Sequence, residues 1–147
     1  IRRQLIPLLQ QDYNAQVIPH LTALGELTTE SLQCLDQLAD RVLKESVLQR
    51  TADVVRLDNT RMTQWPPALI RHALIRLWDQ LHWPRKRLTE AHWNRLAALV
   101  CQQSQPGSPA ETRFQLPGPV DVECRHQMTM LTPGAGGSCI SESSAPQ

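Results

Sequence analysis

Val17-Ile18-Pro19-His20-Leu21-Thr22-Ala23-Leu24-Gly25-Glu26-Leu27-Thr28-Thr29-Glu30-Ser31-Leu32-Gln33-Cys34-Leu35-Asp36-Gln37-Leu38-Ala39-Asp40-Arg41-Val42 is the stretch that decides the fold. Its apolar residues recur at steps of three and four: Val17, Leu21, Leu24, Leu27, then Leu32, Leu35, Leu38 and Val42. That spacing lays side chains along one face of an α-helix, so the stretch predicts a long amphipathic helix of roughly thirty residues. Gly25 and the polar run Thr28-Thr29-Glu30-Ser31 fall near its midpoint. A break there, with Thr28 or Thr29 as a new N-cap, is an open alternative.

Toward the N-terminus, Pro7 lacks the N–H an interior helical position needs, so the first segment ends or kinks there and closes near Asp12–Asn14. Asn14 then caps the long helix, whose first turn admits Pro19 only with local adjustment. Toward the C-terminus, Asp53-Val54-Val55-Arg56-Leu57-Asp58 alternates and reads as a short strand or extended connector. Trp65-Pro66-Pro67 starts a helix, because proline's fixed φ suits a first turn. Its inner face is Leu69, Ile70, Ala73, Leu74, Leu77 and Trp78, and Arg71, Arg76 and Asp79 fall largely on the other. Trp83-Pro84-Arg85-Lys86-Arg87 is a basic loop, and Thr89 caps a helix from Glu90 to about Gln103.

Gln105-Pro106-Gly107-Ser108-Pro109 breaks the chain again. Short strands are expected at Thr112–Leu116, Val120–Arg125 and Met128–Leu131, with Leu116-Pro117-Gly118-Pro119 and His126-Gln127 as their turns. The fold class that results is mainly α with a small antiparallel β-meander at the C-terminal end, an α+β arrangement. Residues 132–147 are small, polar and rich in Pro, Gly and Ser, and are expected to be a disordered tail.

The 147 residues carry a net charge of only +1, but the charge is unevenly spread. Residues 1–60 hold six Lys/Arg against eight Asp/Glu, residues 61–95 hold seven against two, and residues 96–147 hold two against four. A basic middle between mildly acidic ends supplies either a local phosphate-facing surface or simply a solvated helical face. Cys34, Cys101, Cys124 and Cys139 form no CxxC pair. Cys34 and Cys101 sit among apolar neighbours and read as small hydrophobes, which suits a reducing, cytoplasmic setting. No apolar run approaches membrane-spanning length, so no membrane partner is expected.

Chemistry-bearing motifs are scarce. Gly134-Ala135-Gly136-Gly137-Ser138 is the only glycine cluster, and it has neither the preceding strand nor the following helix of a phosphate loop. The histidines, His20, His72, His82, His92 and His126, are scattered without zinc spacing. No nucleophile elbow occurs, and Asp36 and Asp40, at i and i+4, look like a solvated helical face. No catalytic, cofactor-binding or metal-ligating residue is therefore expected in this sequence. Trp65, Trp78, Trp83 and Trp93 cluster in one window, and indole between helices is usually core. Trp83, beside the cationic run, is either a loop anchor or a platform on which a base stacks.

Four phrases in this order carry a resemblance. Ile1, Arg2, Leu5, Pro7, Leu9 and Asn14 follow an I-R-x-x-L-L-P-x-L pattern with a later Asn. Pro66, Ala68, Leu69, Arg71, Leu74 and Trp78 follow P-x-A-L-x-R-x-x-L-x-x-x-W. Leu88, His92, Trp93, Leu96 and Leu99 follow L-x-x-x-H-W-x-x-L-x-x-L, and Leu116, Pro117, Gly118, Val120, Val122 and Arg125 form an L-P-G-x-V-x-V hairpin with a basic residue after it. No single phrase is specific, but their succession over residues 1–131 resembles the C-terminal part of the tRNA(Ile)-lysidine synthases.

The resemblance implies three segments: residues 1–14 as the last helix of a truncated catalytic domain, 15–131 as a helical tRNA-binding domain ending in a hairpin or meander, and the tail. Members of that family are ATP-dependent carbon–nitrogen ligases that join lysine to the wobble cytidine of an isoleucine tRNA. Here the S-G-G-x-D-S loop that handles ATP does not occur, so ATP and lysine are expected to engage a domain upstream, with no cofactor in this segment. Arg3 departs from the family, which often has His or another polar residue there, and the β-rich domain of longer members does not follow the hairpin.

The implied partner is tRNA, and the candidate contacts are the cations Arg71, Arg76, Arg85, Lys86 and Arg87 on one face, with Trp83 as a stacking platform and Arg2 at the junction with the upstream domain. A rival reading is a helical protein-interaction module without RNA, in which the long helix pairs with another chain, as in a homodimer.

Overall fold

The computed structural model describes residues 4–51, 53–103, 111–118, 120–125 and 127–134. Helix α1, Leu5–Asp12, has Pro7 in its first turn, where no intrahelical partner exists for an N–H, so the proline neither ends nor kinks it. Helix α2, Val17–Ser46, follows. The Asn14 side chain accepts from the Gln16 N–H at 2.8 Å, and the Val17 N–H donates to the Asn14 carbonyl at 3.0 Å, which delivers the expected capping turn. Pro19 again lies in a first turn.

No break interrupts α2 at the polar run. The hydroxyls of Thr28, Thr29 and Ser31 donate back to the carbonyls of Leu24, Gly25 and Leu27 at 2.7–2.8 Å. A hydroxyl used in this way is not free to cap a new helix, and the chain continues helically through it.

The chain divides into two compact units, Ile1–Gln37 and Leu38–Gln147, and the division falls inside α2. In the first unit no described residue is buried. In the second, the last turns of α2 bury Ala39, Val42, Leu43 and Ser46.

Two elements of the second unit were not expected. Strand β1, Val47–Arg50, follows α2 directly and pairs antiparallel with β2, Val55–Asp58. Helix α3, Asn59–Met62, is a single turn capped by the Asp58 carboxylate, which accepts from Thr60 and Arg61 at 2.9 and 3.2 Å. Helices α4, Pro67–Gln80, and α5, Glu90–Gln103, stand where the sequence pattern put them. At the start of α5 the Thr89 N–H donates to His92 Nδ1 at 3.0 Å, and the His92 N–H donates to the Thr89 backbone carbonyl at 3.1 Å. His92 thus fills the place a Glu takes in a capping box.

Strands β3, Glu111–Leu116, β4, Val120–Arg125, and β5, Met128–Pro133, follow. β5 runs through Thr132 and Pro133, past the expected start of the tail. The rest of that tail, from residue 135, and the His126 turn position lie outside the described residues. The expected meander is thus one part of a five-stranded antiparallel sheet, ordered β1-β2-β5-β4-β3, because β2 pairs with β5. Its inner face carries Val55, Leu57, Leu131, Val120, Val122, Cys124 and Leu116 into the same core as Leu69, Ile70, Ala73, Leu74, Leu77, Trp78, Trp93, Leu96 and Val100. The fold is α+β.

Candidate nucleic-acid interface

The loop that joins α4 to α5, residues 81–89, is held at several points. The Trp83 N–H donates to the Trp78 carbonyl at 3.2 Å, and Trp78 Nε1 donates to the Pro84 carbonyl at 3.4 Å. The Trp83 ring stands edge-on to Trp78 with centroids 4.8 Å apart, and Trp78 meets Trp93 in the same way at 5.3 Å. Buried Trp78 is therefore the post around which the loop is wrapped. His82 leaves α4 at φ 55, a left-handed value uncommon outside glycine, and its Nδ1 lies 2.8 Å from the Asp79 carbonyl. From the sheet, the β3–β4 turn closes on the loop at Gly118, whose φ is 100 and where a Cβ would sit 3.0 Å from the Pro84 carbonyl.

These constraints sort the candidate cations. Arg85 turns back to α4, its Nη1 donating to both Asp79 carboxylate oxygens at 2.6 Å, so much of its charge is answered locally. Lys86 and Arg87 are exposed, and neither side chain has an ion pair among the described residues. Trp83 is half-buried against the core and anchors the loop.

Arg71 and Arg76 do not join them. Five residues apart on α4, they are separated by about 140° around the helix axis. Arg71 Nη1 donates to Glu90 Oε1 at 3.2 Å and Asn94 Oδ1 at 2.8 Å, both on α5. Arg76 forks onto Asp40 of α2, Nε to Oδ1 at 2.6 Å and Nη2 to Oδ2 at 2.7 Å, and Gln80 adds a bond to the same carboxylate at 3.0 Å. The Arg76 hydrogen bonds hold the Asp40 carboxyl below its ordinary value. Asp40 is thus an anchored tertiary partner and not part of a solvated face. The single face of five cations that the sequence suggested is not formed. Arg2 lies outside the described residues.

Other groups emerge only from the structure. Arg95 lies over the Phe114 ring at 4.4 Å from its centroid, a cation–π contact, and has no carboxylate partner among the described residues. Arg113 and Arg125 interleave with Glu111 and Glu123 across β3 and β4, a balanced lattice with no net field. A shallow apolar groove of about 370 Å³ between α4 and α5 is lined by Ala68, Arg71, Ala97 and Cys101 among others.

Cys34, read from its neighbours as a small hydrophobe, is exposed, and Cys101 is half-buried with its thiol pushed up by desolvation. Cys124 is the buried thiol, pushed up to about 11 by burial. Among the described residues no three His, Cys, Asp or Glu side chains gather to hold a metal ion, and no helix is long and apolar enough to cross a membrane.

No family model matches the chain, and no curated protein matches it.

Proposed function

We propose that this chain is the tRNA-holding portion of a tRNA(Ile)-lysidine synthase, presenting the wobble cytidine to a catalytic domain that supplies ATP and joins lysine. The reading rests on the ordered succession of family-like phrases and, physically, on one observation: a braced loop holding Lys86 and Arg87 in solvent with no carboxylate partner among the described residues. Phosphate recognition favours cations that are already positioned and not already neutralised, because neither ordering nor breaking an ion pair is then charged against binding. Arg71, Arg76 and Arg85 act in this reading as braces for the helices and the loop. Binding through two such cations adds affinity without reading sequence, so base selection belongs to other groups.

The test is tRNA binding by the full chain across a salt series. Replacing Lys86 and Arg87 together with Ala should flatten the plot of log affinity against log salt by roughly 1.5–2, close to one phosphate contact per cation. An unchanged slope removes the loop from the interface. Replacing Arg71 with Ala should instead lower stability and leave the slope as it was.

A further inference from the structure

The first unit holds a surface that the RNA reading does not use. Ile18, Leu21, Leu24, Leu27, Leu32 and Leu35 are each 41–61 % exposed along α2. Soluble chains rarely leave a contiguous apolar stripe of this length uncovered. With Leu21, Leu24, Leu32 and Leu35 in one row and Ile18 and Leu27 at its flanks, these half-exposed side chains offer at most about 500 Å² per copy, so two copies reach at most about 1,000 Å², the low end for a specific interface and suited to a weak one.

We propose that the occupant is a second copy of this chain, packed antiparallel along α2 about a two-fold axis at Thr28. The spacing is what selects a copy of itself. Leu21, Leu24, Thr28, Leu32 and Leu35 are separated by steps of three, four, four and three, so the row reads the same from either end. Turned end for end about Thr28, Leu21 meets Leu35 and Leu24 meets Leu32, the self-complementary patch that a two-fold interface requires. Leu21 to Leu32 and Leu24 to Leu35 are each an eleven-residue repeat, which keeps the row in line on a nearly straight helix.

Thr28 at the axis is compatible with a dry seam. Its hydroxyl is already satisfied by the Leu24 carbonyl at 2.7 Å, leaving the methyl group to pack. Gly25, beside the row, has no neighbouring atom within 4 Å of a Cβ built there, so nothing within the chain fills that space. Glu26 and Glu30 lie more than about 140° around the helix from the middle of the row, so their like charges stay off the seam.

The mass of the full chain in solution without RNA tests this independently of the tRNA reading. Sedimentation equilibrium from micromolar to sub-millimolar concentration should give twice 16.6 kDa, and Leu24→Glu with Leu32→Glu should return the mass to 16.6 kDa. Direction is read by oxidising a mixture of Leu21→Cys and Leu35→Cys chains, each also carrying Cys34→Ser and Cys139→Ser. Antiparallel packing yields the mixed disulfide and little of either self-linked species. Self-linked Leu21→Cys and Leu35→Cys dimers would mean parallel packing and overturn the proposal, as would a wild-type chain that stays at 16.6 kDa throughout.

Discussion

Helix α4 and the part of α2 that precedes Leu38 have similar apolar periodicity and opposite fates. α4 buries Leu69, Ile70, Ala73, Leu74, Leu77 and Trp78 within fourteen residues. The α2 segment buries nothing, and Leu21, Leu24, Leu27 and Leu32 remain about half exposed. Periodicity therefore reports which face of a helix seeks a partner, not whether the partner lies in the same chain. α4 finds α5 and a sheet, whereas the corresponding face of α2 is left for another surface.

Truncation is the sharpest probe of that difference. Trp78→Ala removes a ring with no exposed surface that meets both Trp83 and Trp93, and should cost about 3–5 kcal/mol in urea unfolding. Leu24→Ala, measured at concentrations dilute enough to exclude self-association, should change stability by no more than about 0.5 kcal/mol. Equal losses at the two positions would mean that the α2 face is covered within the monomer, and the comparison would fail.

The same contrast explains what was legible in the sequence. α4 and α5 could be bounded because Pro66-Pro67, Thr89 and the Gln105–Pro109 run punctuate them, and the three C-terminal strands because turn residues separate them. β1 was not legible. Val47-Leu48-Gln49-Arg50 follows a helix with no glycine or proline between, and only pairing with Val55–Asp58 draws it into the sheet. At the candidate interface the cationic run was legible, but the carboxylates that neutralise Arg71, Arg76 and Arg85 were not. Asp40 lies 36 residues from Arg76, and such a pairing is fixed by packing. The separation of Arg71 from Arg76, by contrast, is legible, because a five-residue step sets them about 140° apart on any α-helix.

A smaller effect is expected where the sheet touches the basic loop. Gly118 combines a φ of 100 with a missing Cβ that would lie 3.0 Å from the Pro84 carbonyl backbone. Gly118→Ala should cost about 1–2 kcal/mol, since both the backbone conformation and the close approach resist a side chain. If the loop is a braced platform, the variant should also loosen it, seen as faster amide exchange at Lys86 and Arg87. A stability loss with unaltered exchange there would show that the turn does not brace the loop.

The smallest effect concerns the last turns of α2, where the helix enters the packed unit. Asp40 and Arg76 are 45 % and 31 % exposed, so water screens their pairing, and Asp40→Asn should cost about 1 kcal/mol at neutral pH. Because the Arg76 hydrogen bonds lower the folded carboxyl below 3.8, its contribution is fully present above that value. It is lost as pH falls through the lower folded value, since the unfolded chain takes up the proton first. The difference between wild type and Asp40→Asn in urea midpoint should therefore hold steady from pH 7 down to about 5 and narrow below 4. Glu45 and its partner Arg41, 45 % and 67 % exposed on the outer face of the same helix, supply the control. Glu45→Gln should change stability by only a few tenths of a kcal/mol. A gap for Asp40→Asn that widens in acid would mean the carboxylate is opposed, not supported, by its surroundings, and α2 would then need another anchor.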